Sequence, residues 1–296
     1  MAQIQAGNIM LEVEQIGDPS CPAVILIAGL GFQLIDWPLE FCERLAEGGF
    51  QVIRFDNRDV GLSQKLEERG IPDLETALAA KTSGSSPDMP YALTEMSKDV
   101  VALMDRLSLD QAHIVGMSMG GMIAQLLAIH YPERCLSLTS IMSSSGEPSV
   151  SAPDGAAMAA ISGAPASQEM SDIVTFGLKV NATIGSPGYR WPKEDLIRHI
   201  EACFKRGYCP TGYLRQMGAV FSAPSRREDL KAVRLPTLVL HGTDDLLVPP
   251  SAGQDVAEHI PGARLELIDG MGHDLSPSLC AHLAGLLIPH LKTVCS

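Results

Sequence analysis

The chain has 296 residues, 46% of them hydrophobic, enough to bury a substantial core in one large α/β domain or two smaller ones. Its 22 Lys and Arg stand against 35 Asp and Glu, and the resulting formal charge of −13 repels phosphate backbones and anionic lipid, so nucleic acid is excluded as an expected partner. Seven scattered cysteines, an odd number with no CxxC pair, point to neither a disulfide framework nor a zinc site and fit a reducing cytoplasm; a local Cys203–Cys209 pairing is the alternative.

The opening segment, MAQIQAGNIMLEVEQIG, has no basic region before an apolar run, and no apolar stretch approaches membrane-spanning length. A soluble, unprocessed, cytoplasmic protein is expected, a monomer or homodimer with no membrane partner. Residues 3–16 alternate as two short strands around Gly7-Asn8, a hairpin turn pair. AVILIA (23–28) is a β-branched run suited to burial on both faces of a parallel sheet, and QVIRF (51–55) is a second strand candidate. Between them, 37–47 is helical and closes on Gly48-Gly49. Residues 64–92 are irregular and are expected to form a surface excursion or loop.

TEMSKDVVALMDRL (94–107) puts Met96, Val100, Leu103, Met104 and Leu107 on one helical stripe, with Thr94 as the expected cap. Strand AHIVGM, a helix over 119–130 and strand CLSLTSIM (135–142) follow. After residue 230 come PTLVLHG (236–242), a helix near 251–259, RLELID (264–269) and a last helix from about 278 to 292. Alternating strands and helices predict an α/β fold, a mostly parallel sheet with helices on both faces. Residues 146–230 break the rhythm and are expected to form an inserted helical cap, leaving 1–145 and 231–296 as the core domain.

Within HIVGMSMGGMI (113–123), Ser118 lies between Gly116 and Gly120 where a strand passes into a helix. A GxSxG match alone is weak, and a helix-capping serine in an ordinary turn is the plainer account. The strand–turn–helix setting is what gives it weight: a sharp turn there lifts a serine hydroxyl above the sheet edge, and glycines avoid collision with the neighbouring helix and strand. HGTDDLLVP places Asp244 and Asp245, and IDGMGHDLSP places His273, after two further strands. Carboxyl ends of parallel strands share one crevice, so nucleophile, acid and base are expected to converge there.

On these motifs the chain resembles the α/β-hydrolase superfamily along essentially its whole length. In that family's GxxDxxxP pattern, matched by Gly242 to Pro249, the acid position is Asp245, and Asp244 becomes a turn residue. The resemblance implies a Ser118–His273–Asp245 triad and two oxyanion-hole backbone donors, Met119 and Leu30. Leu30 belongs to Ala28-Gly29-Leu30-Gly31, where Ala28 replaces the family's usual histidine. Trp37 matches a tryptophan common after this loop, with substrate contact and helix packing both open.

FDNRDVGLS (55–63) resembles the DxRxxGxS segment and is expected to support the oxyanion loop by an ion pair and a turn. RDVGLS, VGMSMGG and DGMGH together are most similar to carboxylesterases of the aclacinomycin methylesterase type, and less so to the cofactor-free haloperoxidase and perhydrolase group. The expected function is hydrolysis of small to medium apolar esters through an acyl-enzyme, with no cofactor or metal and a small-molecule ester as partner. Acyl transfer, perhydrolysis, carbon–carbon bond hydrolysis and a weakly catalytic ligand receptor are the alternatives on the same fold. The remaining histidines lack metal-ligand spacing and are expected in core or solvent; Ser143, Ser144 and Ser145 either line the pocket or form a polar loop.

Overall fold

A computed structural model describes residues 1–83 and 87–294 of the protein. Its centre is an eight-stranded sheet in the order β1-β2-β4-β3-β5-β6-β7-β8. The hairpin β1 (Ala2–Ala6) and β2 (Ile9–Ile16) turns at Gly7-Asn8, and β2 joins β4 antiparallel. From β4 (Gln51–Phe55) through β3 (Ala23–Ile27), β5 (Ala112–Met117), β6 (Cys135–Ile141), β7 (Thr237–Gly242) and β8 (Arg264–Ile268), all pairings are parallel.

The continuous apolar runs have the reason expected of them. Side chains alternate across a strand, so in β3 Ile25 and Ile27 enter one core while Val24 and Leu26 enter the other. On the first face, α3 (Leu93–Arg106) supplies Val100 and Leu103, and α4 (Met119–His130) supplies Ile123 and Leu127. On the second, α1 (Leu39–Glu47) supplies Phe41 and Leu45, and α11 (Pro277–Lys292) supplies Leu279, Leu283 and Leu287. Helix α10 (Pro250–His259) connects β7 to β8.

One expectation needs correction, and another is made definite. Helix α3 starts at Leu93 after Ala92, with no side-chain cap, so Thr94 lies inside it. Burial of Leu93 is worth about 1.5–3 kcal/mol, more than the roughly 1 kcal/mol of a cap, and it decides the boundary. The irregular stretch 64–92 holds a 3₁₀ turn at Glu67–Arg69 and a helix, α2 (Leu74–Ser83); part of its Ser-rich patch, 84–86, lies outside the described residues. Between β6 and β7 lie α5 (Gly155–Ser162), α6 (Met170–Ile184), α7 (Lys193–Gly207), α8 (Pro210–Ser222) and the short α9 (Arg227–Leu230). Among the described residues, no helix is long and apolar enough to cross a membrane.

Candidate active site

Ser118 occupies the single residue between β5 and α4, at φ 53° and ψ −120°. Such a conformation costs a non-glycine residue on the order of 1–3 kcal/mol and persists only where the surroundings enforce it. The enforcement is steric. A Cβ on Gly116 would stand 2.1 Å from the Gly120 carbonyl oxygen, and one on Gly120 would stand 2.0 Å from that of Ile27. Strand, helix and the end of β3 therefore meet at backbone contact, with no room for a gentler turn.

The plainer account of the serine fails, because Ser118 makes no side-chain cap bond to α4. Its Oγ instead lies 2.9 Å from Nε2 of His273. The other ring nitrogen, Nδ1, is 2.7 Å from Oδ2 of Asp245, and both partners of that pair are buried. The second Asp245 oxygen, Oδ1, accepts from the amides of Leu247 (2.9 Å) and Val248 (2.8 Å), which fixes the carboxylate within the turn after β7. A carboxylate on Nδ1 sets the imidazole tautomer that leaves Nε2 able to accept the serine proton.

His241 stands beside this chain, its Nε2 3.6 Å from Asp245 Oδ2. Burial lowers its pKa, and Nε2–H donates to the Val248 carbonyl at 2.8 Å, so it stays neutral and leaves Asp245 to His273. Asp244 is exposed and does not reach the imidazole: its Oδ2 accepts from Gly270 N at 3.0 Å and from Thr243 Oγ1 at 2.8 Å, tying the turn after β7 to that after β8.

The loop after β3 runs against the serine, since a Cβ on Gly29 would lie 3.3 Å from that of Ser118. The amides of Leu30, in this loop, and of Met119, the first residue of α4, donate to no protein group among the described residues. The loop is held by its neighbours. Gln216 on α8, fully buried, accepts from Gly31 N at 2.8 Å and donates to the Arg58 carbonyl at 2.7 Å. Gly31 has φ 72°, and Tyr213 of α8 packs so close that a Cβ would stand 2.5 Å from its ring.

FDNRDVGLS reaches that loop through Asp56 and through Asn57, whose Nδ2 donates to the Ala28 carbonyl at 3.1 Å, and it carries three ion pairs to the surrounding helices. Asp56 accepts from Leu34 N (2.6 Å) and Leu62 N (2.7 Å) and pairs with Arg206 of α7 at 2.6 Å; burial nevertheless raises its pKa. Arg58 forks onto Asp99 of α3 at 2.8 and 2.7 Å, and Asp59 takes Arg215 of α8 at 2.9 and 2.7 Å. Ser63 Oγ donates to the Asp56 carbonyl at 2.6 Å and accepts from Glu12 N at 2.8 Å, closing the turn. Removing one partner of the Asp59–Arg215 pair, buried on both sides, costs about 3–5 kcal/mol.

The three serines after β6 are all buried and act as struts. Ser143 Oγ donates to the Ser118 carbonyl at 2.7 Å, Ser145 Oγ donates to Asp255 at 2.5 Å, and the Ser144 carbonyl accepts from Arg226 at 2.9 Å. Trp37 is buried and stacked on Phe41 of α1, centroids 5.5 Å apart, which is the packing role. Cys203 and Cys209 are both free thiols.

Sequence reading missed Gln216 and the anchoring of the His273 loop. There, His273 N donates to the Ile184 carbonyl at 2.7 Å at the end of α6. Gly188 N donates to the Gly270 carbonyl at 2.8 Å. Asp274 accepts from Ser186 N (2.9 Å), Ser186 Oγ (2.5 Å) and Asn181 Nδ2 (2.8 Å). No local pattern marks these residues, because each partner lies 80 or more positions away, as the separations of 88 and 185 for Ser186–Asp274 and Gly31–Gln216 show.

A mostly parallel sheet with a strained serine turn at the end of its central strand is the architecture of the α/β hydrolases. The family model described as the alpha/beta hydrolase fold matches residues 22–161. The rhodomycin D methylesterase DnrP of Streptomyces peucetius is 30% identical over 96% of this chain and 96% of its own. The 3-oxoadipate enol-lactonase 2 of Acinetobacter baylyi is 26% identical over 90% and 87%. Among solved structures, an enol-lactonase from Burkholderia xenovorans superposes with a TM-score of 0.75 at 22% identity, covering 98% of this chain and all (100%) of that one. The chain belongs to the α/β-hydrolase family and is a hydrolase enzyme.

Proposed function

We propose that the protein hydrolyses carboxylic esters through an acyl-enzyme on Ser118. As Ser118 Oγ attacks the ester carbonyl, His273 Nε2 takes its proton, and Asp245 holds Nδ1–H and stabilises the imidazolium. The amides of Leu30 and Met119 donate to the oxyanion, with Met119 adding the positive end of α4. His273 then passes the proton to the departing alcohol, and a water molecule repeats the sequence on the acyl-enzyme. These steps need no cofactor or metal.

Residues 1–145 and 231–296 form the core in this reading, and 146–230 the cap over the crevice. The substrate is an apolar ester of small to medium size. This is supported by the Tyr213 ring packed against Gly31 and by relatives named for a methyl ester and an enol-lactone.

The observation that carries the proposal is the unbroken hydrogen-bond chain from Ser118 Oγ through both nitrogens of His273 to Asp245, at 2.9 and 2.7 Å. Its test is Ser118→Ala, assayed on p-nitrophenyl esters of increasing acyl length and on bulky methyl esters. A loss of at least about 10⁴-fold in kcat is expected with the melting temperature preserved, and a stalled acyl group on Ser118 should be detectable by mass in the wild type. Retention of most activity in the variant rules the nucleophile out.

A further inference from the structure

Away from Ser118, three metal-ligating side chains meet between the loop after β3 and α7. Asp36 ends the 3₁₀ turn Leu34–Asp36, and His199 and Cys203 are one turn apart on the same face of α7. One donor atom from each lies within 4.8 Å of the others. His199 Nε2 is 2.8 Å from Asp36 Oδ1 and 3.6 Å from Cys203 Sγ, and Sγ is 3.9–4.0 Å from the Asp36 oxygens.

A proton relay would use both ring nitrogens, one toward the acid and one toward the thiol, as His273 does. Here a single nitrogen faces both, so three donors converge on one point. With Zn–S about 2.3 Å and Zn–N or Zn–O about 2.0 Å, tetrahedral coordination separates S from either N or O by about 3.5 Å and N from O by about 3.3 Å. The observed separations differ from these by about 0.5 Å or less, within a small rotation of each side chain.

The donor set selects the ion. One carboxylate with an imidazole and a thiol is too poor in oxygen for calcium or magnesium and suits zinc. Asp36 and a Cys203 thiolate carry two negative charges, matching a divalent cation. Arg206, the nearby cation, is already engaged by Asp56 at 2.6 Å and Gln33 Oε1 at 2.9 Å. Outer contacts preset the ligands: Gln33 N donates to Asp36 Oδ2 at 2.7 Å, and Trp191 stacks on the His199 ring at 5.3 Å. All three ligands are partly exposed, which leaves a path in and a fourth position for water.

The geometry points to a zinc site formed by Asp36, His199 and Cys203, which ties α7 to the segment following the Leu30 loop. It stands on these distances alone and does not depend on the ester reading. On binding, the thiol proton leaves to solvent and the sulfur coordinates as thiolate, and the proton between His199 Nε2 and Asp36 Oδ1 likewise leaves Nε2, the neutral ring keeping its proton on Nδ1.

The test uses the reduced full-length protein, stripped by chelator and titrated with Co²⁺ as the spectroscopic probe, then with Zn²⁺ in competition. A thiolate-to-cobalt charge-transfer band saturating at one equivalent and displaced by Zn²⁺ is expected. Cys203→Ser should abolish the band and His199→Gln should weaken binding by more than about 100-fold, since even outer partners of a metal ligand account for 10–100-fold. Cys21→Ser, at the opposite end of β3, should leave both unchanged. Absence of the band in the wild type, its loss in Cys21→Ser, or unchanged affinity in His199→Gln would overturn the site. If Cys203→Ser fails to fold, the His199→Gln affinity decides.

Discussion

The two walls of the candidate site are built in opposite ways. The Ser118 turn is enforced by residues adjacent in sequence, with Gly116 and Gly120 letting strand, helix and the end of β3 touch backbone to backbone. The Leu30 loop has no such local necessity. It is set by Gln216, Asp56, Arg206 and Tyr213, side chains brought from elements far along the chain. One wall is a steric consequence of composition, and the other is a hydrogen-bonded assembly that exists only once α7 and α8 have packed.

The sharpest test of the first wall's chemistry is the choice of acid: Asp245→Asn should lower kcat by about 10⁴-fold through the wrong imidazole tautomer, while Asp244→Asn leaves it near wild type. The reverse order in measured kcat would mean that the turn after β7 presents the other carboxylate. Next in size is Gly120→Ala, whose methyl would meet the Ile27 backbone, which has no soft side chain to yield. A loss of more than about 3 kcal/mol in urea unfolding, or no soluble protein, is expected. Gly155→Ala, with nothing within 4 Å, is the neutral control, and equal stabilities for the two would break the steric account.

The second wall should fail more gently. Gln216→Ala removes the tie on Gly31 and the Arg58 carbonyl, and under the proposed mechanism kcat should fall about tenfold with little change in KM, because the proposed oxyanion donor is misplaced, not deleted. An unchanged kcat would show that the backbone alone holds the loop.

The smallest effect concerns His113, near the start of β5 at the end away from Ser118. Burial pushes its pKa down to about 4, so in the folded state it stays neutral where the unfolded chain, near 6.5, takes up a proton. Stability should therefore fall as pH drops from 7 to 5.5, by about 1 kcal/mol from this residue, and level off below pH 4. Urea unfolding of His113→Gln against wild type at both pH values measures the difference, and equal slopes would remove the assignment.

The same contrast explains what could be seen in the sequence. β3, β5 and β7 announce themselves as apolar runs, and the serine, aspartate and histidine follow strand ends with turn glycines, all within windows of ten residues. The choice of Asp245 over Asp244 rests on the pattern of the family that the chain resembles, and the amides of Leu247 and Val248 hold the Asp245 carboxylate in the turn after β7. Illegible were the contacts made across the fold. Arg206 reaches Asp56 over 150 positions, and His199 reaches Asp36 over 163, so no window contains both partners. The start of α3 departs from the expected one for a related reason, since burial of Leu93 is a tertiary fact that outranks the capping preference of Thr94.

The anchoring of the His273 loop to the end of α6 has a practical consequence for engineering. Cutting away the helices between β6 and β7 to obtain a minimal scaffold would take with it the Ile184 carbonyl and the Ser186 and Asn181 groups that seat residues 273 and 274. A truncated chain of that kind would keep its serine turn and lose the seating of His273.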